Sequence, residues 1–321
     1  MRVFEKLLKS RNSVKPTRGE TTELTGVLLK IRNPRARLSR TEMKGKLFSC
    51  LGELLWYLAK TDDLRFITYY LPRYDEESED GQTVYGAYGP RLFDMQHRHD
   101  QVANVVSLLR KNQNSRRAVI QLFAAADIAR TRKHAPCTCT LQFMIRHRRL
   151  HMFTNMRSND AYWGLPHDVF TFTMLQEIIA RTLGVELGTY KHAVGSLHLY
   201  DKQRQSALRY MGEGWQPTEN MLQMPPMPLV DPWPSIAVLL KAESEIRRNT
   251  RVNIPGLKLD HYWKDLVRLL QIYRHYVNKD RKGIARIGKS MWSHVYNPYI
   301  ERKRLTAKGE IETGPVQESL L

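Results

Sequence analysis

A fold that combines α-helices with β-strands is predicted by three features of the sequence. Leu47, Leu51, Leu54, Leu55 and Leu58 recur at helical spacing within residues 44–58, so this segment presents an apolar stripe, with Glu53 off it. Residues 137–145 and 150–157 read as strands joined by the basic turn at 146–149, and a β-hairpin is the economical reading. Val169, Phe170, Phe172, Met174, Leu175, Ile178, Ile179 and Leu183 then cover more than one face of a helix, the mark of a buried one. Gly184 follows where a left-handed cap would end it.

The remaining elements fall around these. Residues 75–81 form an acidic loop, residues 115–123 a strand entered through two arginines, and residues 190–200 another strand. No repeat of fixed period is visible, which argues against solenoids and propellers. Prolines crowd residues 223–234, and because proline fixes φ and removes donors this stretch reads as a linker and boundary. The organisation expected is a domain at 1–222, the linker at 223–234, a basic helical extension at 235–304 and a disordered tail at 305–321. Between Tyr276 and Arg304 the extension holds eight Lys/Arg against two Asp/Glu.

The chain has 321 residues, 42% hydrophobic and 26% charged, enough apolar material for a large core and unlike a disordered polymer. Its formal net charge of +19 points to a polyanionic partner or an anionic substrate. Cys50, Cys137 and Cys139 are too few for a disulfide framework, which fits a reducing compartment. With no signal-peptide pattern and no stretch of roughly 18 apolar residues, a soluble, cytoplasmic protein with no membrane partner is expected.

Cys137 follows Ala135-Pro136 beside the basic stretch at 130–134, where positive potential would lower a thiol pKa and enrich the nucleophilic thiolate. On position alone a structural cysteine is the commoner role. Cys139, two residues on and so on the same strand face, reads as packing, and without a second pair at suitable spacing the two make no zinc site and no metal is expected. Residues 155–168 are dense in polar groups. Capping and turns explain some of them, but Arg157, Asp160, His167 and Asp168 are expensive to leave unsatisfied beside an apolar helix.

Taken together these residues resemble the thymidylate synthase superfamily, whose members alkylate C5 of pyrimidine nucleotides with methylenetetrahydrofolate. The pieces run in family order over residues 1–215: Arg18-Gly19, Gly52-Glu-Leu-Leu-Trp56, Val84-Tyr-Gly86, Ser115-Arg-Arg117, Ala135-Pro-Cys137, Arg157-Ser158, Asp160, Gly164-Leu-Pro166 and His198-Leu-Tyr200. The resemblance implies an α+β fold with a large mixed or antiparallel sheet flanked by helices, paired sheet on sheet in a homodimer. Cys137 would add to C6 of the base. Arg18, Arg157 and Ser158 would hold the nucleotide phosphate, with Arg116 and Arg117 reaching in from the partner subunit, a guanidinium cluster suited to a dianion. Glu53 would organise water and proton transfer, Tyr85 would line the site, Asp160, Trp163 and Gly164 would hold the folate, and His198 with Tyr200 would bind the sugar hydroxyl. Alone, Glu53 reads as a solvated helix position and residues 115–117 as a surface turn; the ordered set reverses both.

The sequence departs from the family at informative places. Asp168 stands where thymidylate synthases usually carry an asparagine that pairs with uracil N3 and O4. A carboxylate opposes O4 but accepts from the N4 amino group of cytosine, as acidic residues do when reading cytosine in DNA. A proton on Asp168 shared with N3 would also make C6 more electrophilic. This resembles the cytidylate hydroxymethylase branch. Thr138 replaces the histidine that commonly follows the nucleophile, Ser196 replaces an aspartate in the sugar-binding stretch, and the family's short C-terminal closing peptide is not recognisable. The activity expected is folate-dependent 5-hydroxymethylation of CMP or dCMP, in which Cys137 adds to C6 and water adds to an exocyclic methylene. The alternatives are a thymidylate synthase acting on dUMP and, less favoured, a nucleic-acid-binding protein that keeps the fold, suggested by the positive charge.

Overall fold

The computed structural model describes residues 1–16, 18–39, 46–214 and 223–307. Its helices are α1 (Arg2–Lys9), α2 (Leu47–Leu58), α3 (Leu64–Tyr70), α4 (Tyr88–Phe93), α5 (Gln101–Lys111), α6 (Gly164–Thr182), α7 (Arg204–Gly212), α8 (Trp233–Arg247), α9 (His261–Val277), α10 (Arg281–Gly288) and α11 (Asn297–Thr306). The strands are β1 (Ser13–Val14), β2 (Thr21–Ile31), β3 (Val119–Gln121), β4 (Thr138–Arg146), β5 (Arg149–Asp160) and β6 (Glu186–Tyr200). The start of the first leucine-striped segment, at Lys44, lies outside the described residues.

One six-stranded sheet runs in the order β1-β2-β6-β5-β4-β3. Every pairing is antiparallel except β5 with β6, which is parallel, so the sheet is mixed. A parallel pair needs a crossover, and α6 supplies it. The hairpin joining β4 to β5 closes with His147 and Arg148 at φ of 50° and 58°, the left-handed geometry that a tight two-residue turn requires. The arginine-led strand is shorter than its sequence pattern, only Val119–Gln121, because Ser115 caps a turn with its hydroxyl accepting from the Arg117 amide before pairing begins.

Helix α6 packs its apolar residues between the sheet and α2, which explains why they cover more than one face; Phe172, Met174, Ile178 and Ile179 are fully buried. It ends as expected at Gly184, φ 64°. Among the described residues the other sheet face is only partly covered, with Leu28 and Val119 exposed on it.

The proline-rich stretch is held against the body of the protein. The Met224 amide donates to the Arg35 carbonyl (3.0 Å) and the Met227 amide to Glu177 Oε1 (3.0 Å), and both methionines are buried. Glu177 also meets Arg37 at 2.5 Å with both side chains fully buried. Beyond it, α8 to α11 join the same core: the Tyr70 hydroxyl donates to Glu243 (2.9 Å), that of Tyr273 to the Tyr69 carbonyl (3.0 Å) and that of Tyr299 to the Ser39 carbonyl (2.7 Å). Residues 305 and 306, expected within a disordered tail, instead form the end of α11, which Tyr299 and Ile300 anchor by burial. Residues 308–321 lie outside the described residues. No helix of the described residues is long and apolar enough to cross a membrane.

Candidate active site

Cys137 closes the loop leading into β4, and Arg157 of the neighbouring β5 folds over it. The Arg157 amide donates to the Cys137 carbonyl (2.9 Å), while its guanidinium donates to the carbonyls of Pro136 (2.9 Å) and Ala135 (3.2 Å) and approaches Cys137 Sγ at 3.8 Å. Burial pushes the thiol up, opposed by Arg157 and Arg18 and reinforced by Asp168. This corrects the expectation of a thiol lowered by residues 130–134: desolvation outweighs the cations, and the cations that face the sulfur are Arg157 and Arg18. The basic stretch is clamped elsewhere. Arg132 donates to Glu79 (2.9 Å) and Lys133 Nζ to the Ser78 carbonyl (2.9 Å), while Arg18 pairs with the Glu77 carboxylate and donates to the Lys133 carbonyl (3.0 Å).

Cys139 does not simply repeat the orientation of Cys137, because the register between β4 and β5 shifts between Thr138 and Thr140. A bulge breaks the period-two alternation on which a shared face depends. All three cysteines are free, and among the described residues no cluster of His, Cys, Asp and Glu is placed to hold a metal ion. Thr138 is fully buried, donating its amide to the Tyr88 hydroxyl (3.0 Å), which itself donates to Thr138 Oγ1 (3.0 Å).

Glu53 is inside the protein. Helix α2 is buried nearly all round, so a position off the leucine stripe still faces protein, and Glu53 Oε1 accepts from the hydroxyls of Tyr57 (3.2 Å) and Tyr74 (3.0 Å). Burial raises its pKa. Asp168 sits near the start of α6, just past its first turn, where Oδ2 accepts from Asn159 Nδ2 at 2.6 Å. Burial first, and then the charge of Glu53, push its carboxyl up to about 8. At neutral pH it is a neutral acid. Gly164 makes room for this contact, since a Cβ there would lie 2.9 Å from Asn159 Nδ2.

Asp160 ends β5 by accepting the amides of Tyr162 (2.7 Å) and Trp163 (3.0 Å), which turns the chain into α6. The Trp163 indole carries Lys46 Nζ 2.9 Å from its ring centre and Arg73 at 5.8 Å. Ser158 Oγ lies 3.5 Å from His198 Nδ1, the His198 ring meets Tyr200 edge-on at 5.1 Å, and Ser196 donates to Glu23 (2.6 Å). Tyr85 lies under the Arg132 guanidinium at 4.2 Å and beside Arg91, which is locked to Asp127 by two 2.8 Å bonds. The structure thus gathers Cys137, Arg157, Arg18, Asp168 and Glu53, with Ser158, His198, Tyr200 and Asp160 adjoining. Arg116 and Arg117 stand exposed on the approach to β3, and Arg117 lines a different cavity of about 430 Å³ with Met95, His99 and Gln121.

A family comparison decides the relationship: the sequence profile described as Thymidylate synthase matches residues 9–226. The chain belongs to the thymidylate synthase family. It is 35% identical over 159 residues to a deoxyuridylate hydroxymethyltransferase of Pseudomonas phage M6, covering 48% of this chain and 45% of that protein. A deoxyuridylate hydroxymethyltransferase of Delftia phage PhiW-14 is 30% identical over 196 residues, 57% of this chain and 54% of the relative, and one of Bacillus phage SP01 is 28% identical over 215 residues, 62% and 56%. The chain thus spans about half the length of the curated relatives it matches. The thymidylate synthase motifs missed several residues now seen at the site: Asn159, Tyr57, Tyr74, Glu77 and His134. Asn159 lies between Ser158 and Asp160, so strand alternation sends it to the opposite face from both. That parity was the one signal that could have separated it.

Proposed function

We propose that the protein is a folate-dependent one-carbon transferase that hydroxymethylates C5 of a cytidine monophosphate. The observation that carries the base assignment is Asp168, a buried acid whose Oδ2 already accepts from Asn159 at 2.6 Å. Held neutral, it offers one acceptor and one donor, and cytosine offers the N4 amino group and the N3 lone pair in return. Hydrogen bonding at N3 draws electrons from the ring, which favours addition of the Cys137 thiolate at C6 and develops nucleophilic character at C5. Arg157, already wrapped around the Cys137 loop, steadies the thiolate as it forms. Methylenetetrahydrofolate supplies the one-carbon unit. The Trp163 face with Lys46 and Arg73 suits a flat pterin and the carboxylates of a folate tail, and Asp160, Trp163 and Gly164 are the residues assigned to hold it. Glu53, steadied by Tyr57 and Tyr74, is assigned to water addition at the exocyclic methylene, taking a proton from the attacking water before Cys137 leaves C6.

Phosphate binding is assigned to Arg18, Arg157 and Ser158, and sugar binding to His198 and Tyr200. Arg116 and Arg117 are proposed to act across a homodimer formed on the partly open sheet face. The names of the phage relatives support a second reading, deoxyuridylate as substrate, because uracil fits the same neutral acid turned end for end. The test is mass analysis of products from CMP, dCMP, UMP and dUMP incubated with methylenetetrahydrofolate. A hydroxymethyl group on a cytidylate is expected; turnover confined to the uridylates would replace the cytidylate reading, and a methyl product would replace hydroxymethylation with thymidylate synthesis.

A further inference from the structure

A line of buried polar groups runs away from Asp168 into the protein. Asn159 gives its amide nitrogen to Asp168 Oδ2 (2.6 Å), its amide oxygen lies 3.1 Å from His192 Nε2, and His192 Nδ1 lies 2.7 Å from the Tyr190 hydroxyl. Thr154 neighbours Tyr190, and its buried hydroxyl makes no hydrogen bond. His192, Tyr190 and Thr154 are fully buried and Asn159 nearly so. The parallel register explains the alignment, because Thr154 lies opposite His192 and Asn159 opposite Leu197 on β5 and β6.

Burial holds His192 neutral, so it carries a single N–H. Asn159 then sets the polarity, because its amide oxygen can only accept. Nε2 donates its N–H to that oxygen, the Tyr190 hydroxyl donates to Nδ1, and the Asn159 amide donates to Asp168. The reverse polarity would set the Nε2 lone pair against the Asn159 oxygen inside the core, which is costly.

We propose that Asn159, oriented by His192 and Tyr190, is a specificity-determining positioning residue that fixes which oxygen of Asp168 carries its proton. This rests on the reading of Asp168 as the group facing the base. Because Oδ2 is committed as an acceptor to Asn159, the proton resides on Oδ1, and the base edge meets an acceptor and a donor in fixed order. A pyrimidine whose N3 and C4 substituent run in the matching order gains two hydrogen bonds. The other pyrimidine sets donor against donor and acceptor against acceptor. Without the Asn159 amide the proton moves freely between the oxygens, and both bases fit.

The experiment compares wild type, Asn159→Leu and Tyr190→Phe for binding by calorimetry and for kcat/KM with CMP, dCMP, UMP and dUMP. Asn159→Leu should reduce discrimination between the cytidylates and uridylates roughly 5- to 150-fold, the range of one or two mismatched hydrogen bonds. Tyr190→Phe, which removes one oxygen from a fully buried ring and leaves the Asn159 contact in place, should reduce it in the same direction. Removing the Asn159 donor, which favours ionised Asp168, should also move the pH midpoint of base binding upward, a change that loss of packing alone would not produce. Discrimination is scored against whichever base wild type prefers, so a uridylate preference would overturn the cytidylate reading while leaving this one standing. If both variants lose affinity equally for all four nucleotides, the line of groups is only structural and the proposal fails. Should Asn159→Leu not fold, the ratio measured for Tyr190→Phe decides alone.

Discussion

His134 gives a stability experiment whose size follows from its surroundings. It stands in the loop before Cys137 with its ring near Tyr74 and Nδ1 against Gly86, and that nitrogen is buried without a hydrogen-bond partner. Burial pulls its pKa from 6.5 to about 4. A group depressed in the fold contributes stability that is fully present above its unfolded value and lost as pH falls through its folded value, so the window runs from pH 6.5 down to about 4. Across it the histidine costs the protein about 3 kcal/mol, or ~1.4 kcal/mol per pH unit. His134→Leu keeps the volume and removes the proton. The variant should match or slightly exceed wild type at pH 7.5, since it deletes an unsatisfied buried nitrogen. Its advantage should then grow by about 1.4 kcal/mol for each pH unit below 6.5. Urea unfolding of both proteins at pH 7.5, 6.5, 5.5 and 4.5 measures this. A difference that stays constant across those pH values would show that His134 titrates normally and that its burial has been misjudged.

Other outcomes follow from the site. Cys137→Ser should abolish turnover and the release of tritium from C5, whereas Cys139→Ser should keep most activity; the opposite pattern would reassign the nucleophile. Mixing Arg117→Ala with Cys137→Ser should restore up to about a quarter of wild-type activity per active-site pair if subunits reshuffle randomly, and no recovery despite demonstrated exchange would exclude a shared phosphate site. Gly164→Ala should lower kcat/KM about tenfold or more while the protein stays folded, because its methyl group would crowd the Asn159 amide at 2.9 Å and loosen the bond to Asp168; unchanged kinetics would mean that the amide does not matter.

The parts of the fold legible in sequence were those with a local period. The leucine stripe of α2, the hairpin of β4 and β5, and the Gly184 stop of α6 each depend on residues within a turn or two of one another. Parallel pairing of β5 with β6 depends on a crossover and has no local signature, so the sequence reading left open whether the sheet was mixed or antiparallel. At the site, Cys137, Arg157 and Asp168 could be picked out because family motifs name them. Glu77 could not: the acidic loop reads as solvated until Arg18 and Lys133 are brought beside it. The thiol was misjudged for a related reason, since charge can be read along a chain whereas desolvation requires knowing what packs on top.

The anchoring of the proline-rich stretch bears on how the protein could be shortened or recombined. Glu177 and Arg181, which hold Met227 in place, lie on α6, the same helix that carries Asp168 near its start. Helices α8 to α11 fall outside the stretch matched by the family profile, yet they cover Tyr70 and stack Tyr273 on Phe48 at 6.0 Å. A chimera that exchanged residues 227–307 for those of another enzyme would have to rebuild both the amide contact to the fully buried Glu177 and the cover over α2 and α3. The helix that carries Asp168 and the later helices therefore cannot be swapped as independent cassettes.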